Sequence, residues 1–164
     1  MHAKDVIRQT LNLNESLVTR YLGDLDDADL LIRPVEGMNH IAWQLGHLIA
    51  SEKAILEPYL PPGTYPELPA SLQSQAARQT SREAPEGGFL KKADYLEWAK
   101  KVRAASIAGL EKLSESDLDK PTAGPMAKFA PTVAAMIVLV ANHTLMHAGQ
   151  FTVVRRALNK PVLF

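Results

Sequence analysis

The sequence predicts an all-α chain folded as a four-helix bundle, and three observations carry that expectation. Four long segments repeat apolar residues at helical spacing. Glycine and proline punctuate the stretches between them, at Gly23, Pro58, Pro121, Gly124, Pro125 and Pro161. The chain has 164 residues, 46% of them hydrophobic and 22% charged, with no low-complexity tract and no repeat of fixed period, which suits one domain of ordinary size.

Leucine, valine and isoleucine recur at helical spacing from Val6 through Leu22, so residues 4–22 read as a first helix with Gly23 as its stop. Residues 24–38 hold Pro34 and Gly37 and read as a connection with one short helical turn over 27–31. Asn39 is a good N-cap for the second helix, and Met38 before it is placed to pack on Trp43 as a hydrophobic staple. That helix extends to Glu57, where Pro58 ends it. Residues 58–90 are rich in proline and glycine and form a long excursion, with room for a short helix over 71–82.

Residues 91–113 form the third helix, with Tyr95, Leu96, Val102, Ile107, Leu110 and Leu113 inward and the interspersed lysines and arginines in water. After the loop of residues 114–130, the fourth helix starts near Pro131, whose fixed φ suits a first helical turn, and ends near Leu158. At 1.5 Å per residue such helices are ~28 to 42 Å long. The excursion between the second and third can cover that distance, so those two helices are free to run parallel.

Charge and composition narrow the function. Eighteen basic and eighteen acidic residues cancel, which leaves no cationic footprint for nucleic acid. The strongest apolar stretch, residues 133–141, is about half the ~20 residues that span a bilayer, so no membrane partner is expected. The N-terminal residues carry charge from Lys4 onward without an apolar run, and the expected location is cytoplasmic. With no cysteine, any metal must be held by nitrogen and oxygen ligands.

The chemistry-bearing pattern is ANHTLMHAGQ in the fourth helix and WQLGHLIASE in the second. His143 and His147, four residues apart, stand on one helical face and can aim two imidazoles at one ion. A third ligand must come from elsewhere. His2 lies at a terminus that frays. His40 and His47 are seven apart, ~10.5 Å along the axis, so both cannot hold the same ion. His40 falls at the bundle end, where water is expected, whereas His47 lies mid-helix among Leu45, Leu48 and Ile49. Zinc-protease chemistry of the HExxH type is excluded because Thr144 stands where the glutamate is needed. A di-iron carboxylate centre is excluded by the lack of Glu-x-x-His motifs. A mononuclear centre of His47, His143 and His147 remains, with Gln44, Glu52, Asn142 and Gln150 as candidates to orient the ligands or the bound groups.

These two motifs, their helix order and the closing RRALNKPVLF resemble the DinB-like family, also called DinB/YfiT-like, over nearly the whole chain. The resemblance implies an up-down-down-up four-helix bundle, a homodimer, and a divalent metal held at the positions matching His47, His143 and His147. It also implies a metal-dependent enzyme acting on a small molecule, foremost a transferase that uses a low-molecular-weight thiol such as bacillithiol or mycothiol. Nickel, zinc, iron and manganese all suit imidazole or mixed ligands. A metal-dependent hydrolase and a non-catalytic metal- or ligand-binding protein of the stress response are the alternatives. The pocket is expected to be shaped by residues 58–90 and 114–130.

Overall fold

The computed structural model of the protein describes residues 2–76, 84–85 and 87–163. Four long helices build it: α1 (Ala3–Leu22), α2 (Ile41–Leu56), α3 (Lys92–Lys112) and α4 (Val133–Ala157). Short turns fill the connections, among them a 3-10 turn at Asp29–Leu31, a single α-turn at Ala70–Gln73 followed by a 3-10 turn at Ser74–Ala76, and a 3-10 turn at Pro125–Lys128. The helix expected over 71–82 is thus shorter where it is described, and residues 77–82 lie outside the described residues.

Hydrogen bonds between helices fix their directions. Lys4 at the start of α1 donates to the Leu113 carbonyl just past α3, and Lys92 at the start of α3 donates to the Leu22 carbonyl, so α1 and α3 run antiparallel. Asn14 donates to the Ala141 carbonyl and Arg155 to the Tyr21 carbonyl, so α1 and α4 are parallel. Ser106 donates to Glu52, and farther along both chains Gly109 meets Leu60, so α2 and α3 are parallel. The order is therefore up-down-down-up, with α3 and α4 each lying between α1 and α2. Gly109 is needed at that last contact, because a Cβ there would lie 2.9 Å from the Leu60 side chain.

The core runs the length of the bundle, from Leu22, Leu25 and Leu30 at one end through Leu11, Leu45 and Phe151 to Leu56, Leu110 and Leu118 at the other. Among the described residues, α4 alone is long and apolar enough to cross a membrane. In the fold its Met136, Ile137, Val140, Ala148, Phe151 and Val154 are buried in the bundle.

Three local expectations are corrected. His40, not Asn39, caps α2: its Nδ1 accepts from the Trp43 backbone N–H, at 3.0 Å. The staple register therefore shifts, and Gln44 Nε2 closes the turn on the Asn39 carbonyl instead. His40 is also not in water but 5% exposed, edge-on to the Phe89 ring. Pro131 lies before the first turn of α4, whose cap is Thr132, with its side chain accepting from Ala135 N–H. At the other end Asn159 takes φ 54°, and Lys160 N–H and Asn159 N–H return to the Arg155 and Arg156 carbonyls, which closes α4 in a Schellman turn.

Candidate metal centre

α2 and α4 pack antiparallel at the level where each carries its histidines, and the structure brings His47, His143 and His147 into one cluster. One ring nitrogen from each lies within 4.8 Å of the others. Ring centroids are 4.8 Å apart for His143 and His147, 5.1 Å for His47 and His143, and 5.5 Å for His47 and His147. His47 and His147 are buried; His143 is half-buried and faces a groove.

Hydrogen bonds set the tautomers of His147 and His47. Gln44 Nε2 donates to the Asn39 carbonyl, which leaves Gln44 Oε1 to accept from Nδ1–H of His147 at 2.8 Å. The lone pair of His147 is therefore on Nε2, and that atom lies 3.1 Å from Nε2 of His143. His47 Nδ1–H donates to the Gln75 carbonyl at 3.2 Å, so its lone pair is also on Nε2. Ser51 Oγ sits 3.3 and 3.5 Å from the two nitrogens of the same ring. The Trp43 indole stacks on His47 at 4.8 Å between centroids and 10° between planes. Burial pushes the His147 imidazole down to about 3, with the adjacent His143 and His47 adding to the effect, so the ring is neutral at neutral pH.

These residues suit a cation. Two ligand bonds of ~2.0 to 2.1 Å at a tetrahedral angle hold their nitrogens ~3.3 Å apart, close to the separation of the two Nε2 atoms on α4. Neutral imidazoles with fixed tautomers are the form in which histidine ligates. Three histidine ligands would leave room on a cation for a further, exchangeable group.

The other candidates separate. Gln44 is fully buried and orients His147. Asn142 lines the groove beside His143. Gln150 is half-buried and does not line it. Glu52 turns away from the imidazoles to α3: Arg103 pairs with it at 2.8 Å and Ser106 donates to it at 2.6 Å. Arg103, expected in water with the other basic residues of α3, is instead 5% exposed and also donates to the Leu11 carbonyl and to Thr144 Oγ1. His2 is exposed at the α1 terminus, its backbone N–H bonded to Asp5.

Three contributors escape a reading of spacing. Ser51 was accessible in principle, one turn past His47. Gln75 was not, because it belongs to the irregular excursion and reaches His47 only through the tertiary fold. Gly46 is the third: a Cβ there would lie 1.9 Å from Gln75 Oε1, so the glycine inside a helix marks the close approach of the Gln75 segment.

A solved structure of YfiT from Bacillus subtilis, described as "a probable metal-dependent hydrolase with an unusual four-helix bundle topology", superposes with a TM-score of 0.70 at 17% identity, covering 96% of this chain and 89% of that one. A conserved protein from Enterococcus faecalis superposes with a TM-score of 0.69 at 14% identity, covering 98% and 99%. At such identities the likeness establishes the fold. No curated protein matches the sequence. The profile of the DinB superfamily matches residues 10–151, and the chain belongs to that family.

Proposed function

We propose that His47, His143 and His147 hold a divalent cation and that the protein is a metal-dependent hydrolase of small molecules. The observation that carries this is the convergence of three ring nitrogens within 4.8 Å, with two of the rings held in a set tautomer by Gln44 and the Gln75 carbonyl. When bound, a cation of charge +2 supplies a Lewis acid that brings the pKa of water toward ~7 and polarises a carbonyl. The chain's own part is positional. Gln44 keeps the Nδ1 proton on His147, and the Gln75 carbonyl keeps that of His47. Trp43 covers one face of the His47 ring, so solvent and substrate arrive from the groove side. Ser51 holds a hydroxyl proton beside that ring at the groove's inner end. Nitrogen-only ligation suits zinc, nickel and iron, with manganese as a further candidate.

Thiol transfer uses the same centre and differs in needing a seat for the thiol. None of the described side chains lining the groove carries a fixed charge, so beyond the cation itself a thiol cofactor bearing carboxylates finds no counter-charge there. Hydrolysis, the activity ascribed to YfiT, is the reading this favours. Pairing of two copies in a cytoplasmic protein belongs to the same proposal. Val138, Leu145 and Val153 recur on the exposed face of α4, where a twofold partner can bury apolar area.

The test is elemental analysis of protein purified without a polyhistidine tag, then hydrolysis assays with zinc, nickel, manganese and iron(II). About one ion per chain is expected, with metal-stimulated turnover, and both are lost in His47→Ala and His143→Ala. Protein that takes up none of these metals rejects the proposal. Metal-stimulated turnover that requires an added thiol replaces hydrolysis by thiol transfer.

A further inference from the structure

The histidine cluster opens into a groove of about 560 Å³, within the range of small-molecule sites. Two facing helical stripes form its walls. His47, Ser51, Ala54 and Ile55 follow one another on α2 at positions i, i+4, i+7 and i+8, so they share a face. On α4, Leu139, Asn142, His143 and Met146 stand at i, i+3, i+4 and i+7 and likewise share a face. Because the helices are antiparallel, the histidines lie together at one end and Ile55 lies toward Leu139 at the other. There Met126, from the Pro125–Lys128 turn, closes the far end.

The groove is therefore graded. Its inner end offers imidazoles, the Ser51 hydroxyl and the Asn142 amide. Its outer part offers Ala54, Ile55, Leu139 and the thioether of Met126, while Met146 stands at the level of the histidines. Eight residues of α2 separate the ends, ~12 Å at helical rise. Ala54 is exposed where a larger side chain would fill the channel. Methionine walls adapt to chains and rings of differing outline. Away from the histidine end no described lining residue carries a fixed charge, so an ionised group in the outer part would lose hydration without compensation, whereas a neutral apolar group gains from burial.

Resting on the hydrolase reading above, we propose that this groove selects neutral esters or amides with an apolar acyl or alkyl group ~12 Å long. The carbonyl lies at the histidines and the apolar group extends along Ala54, Ile55 and Leu139 toward Met126. In the reaction, water oxygen bonds to the carbonyl carbon, the bond from that carbon to the leaving oxygen or nitrogen breaks, and the leaving group takes up a proton. Neither oxidant nor reductant is needed.

Two measurements test this and separate its failure from that of the metal centre. The first is titration of metal-free protein with the neutral fluorophore N-phenyl-1-naphthylamine. Saturable binding is expected, weakened at least tenfold in Ala54→Glu while the thermal transition and metal uptake of that variant match wild type. The second is kcat/KM of metal-loaded protein across neutral p-nitrophenyl esters from acetate to octanoate. A rise of about 2- to 4-fold per added methylene is expected, as burial of each CH2 predicts, and a monoester of a dicarboxylic acid of equal length falls back to the acetate level.

Metal uptake without fluorophore binding, or with a flat chain-length profile, overturns the groove assignment and leaves the metal centre standing. Fluorophore binding without metal uptake supports the groove while removing the hydrolase reading. Fluorophore binding that disappears as the chain dimerises with rising concentration also overturns the assignment, because the groove is then covered by a second copy.

Discussion

A single buried amide controls the chemistry of the cluster at the residue scale. Gln44 is held from behind by the Asn39 carbonyl and can present only its oxygen to His147, which places the His147 lone pair toward His143. Replacing Gln44 by leucine keeps the volume and removes the acceptor. Metal affinity in Gln44→Leu is expected to fall ~10- to 100-fold, measured by competition with a chelating dye. An unchanged affinity means the amide has no orienting role. His40 gives a second prediction, about pH. Burial first, and the Arg33 charge second, pull its imidazole down to about 4 from 6.5. As pH falls from 6.5 to about 4 the unfolded chain binds this proton before the folded chain does, so the stability that neutral His40 contributes is full above 6.5 and is lost through that window. Protonation also costs the cap, since protonated Nδ1 cannot accept the Trp43 N–H at the start of α2. Against His40→Asn, which caps without titrating, wild type should lose roughly 1 to 2 kcal/mol more between pH 7 and pH 5 in urea denaturation. Parallel stability curves for the two proteins would contradict this. The His143 and His147 pair was legible because an i, i+4 spacing maps directly onto one helical face. The burial of His40 was not legible, since it depends on Phe89, a residue far along the chain.

Element boundaries were legible to within a residue or two wherever a periodic apolar face met a breaker, as at Gly23 and Asn159. They drifted where two capping residues competed, and Asn39 lost to His40 because the His40 side chain reaches the Trp43 N–H. Spacing could not reveal how the helices are tied to one another inside the bundle. Arg103 extends from α3 to Glu52 on α2, to the Leu11 carbonyl on α1 and to Thr144 on α4, so one guanidinium touches all the other long helices. Thr144 lies between the two histidines in the α4 sequence, and Glu52 follows Ser51, so this buried pair sets the spacing of the helices that carry the imidazoles. Arg103→Ala leaves Glu52 buried without its partner and should destabilise by ~3 to 5 kcal/mol. The double variant Glu52→Leu with Arg103→Met removes both charges and should recover most of that loss. Urea denaturation of wild type, Glu52→Leu, Arg103→Met and the double variant measures the coupling. Additive losses would show that the pair does not act as a unit.

At the scale of the whole molecule, the up-down-down-up order makes the cluster a property of the folded chain alone. The long excursion after α2 returns the chain to the end where α2 began, so α3 can run parallel to α2, and α4 then comes back antiparallel beside α2 with its histidines opposite His47. The same excursion delivers Gln75 to His47. Legibility follows this division: four periodic faces and a long proline-rich connection reveal the helices and permit the parallel pair, while the path of the connection is fixed by tertiary contacts such as Gln75 against Gly46. Ligands almost a hundred residues apart cannot be assembled in the unfolded chain, so a cation that binds them stabilises only the native state. At a free metal concentration ~1,000 times Kd the gain is ~4 kcal/mol, and for a chain of this size each kcal/mol raises Tm by about 2 to 4 °C. Metal-loaded protein should therefore melt roughly 8 to 16 °C above protein stripped with a chelator. His143→Ala should show little of that shift, because its two remaining imidazoles come from different helices and bind weakly. A wild-type protein whose Tm ignores the metal would mean that the three nitrogens are held in register by hydrogen bonds alone, with the His147 to His143 contact as the end of the chain that starts at Asn39.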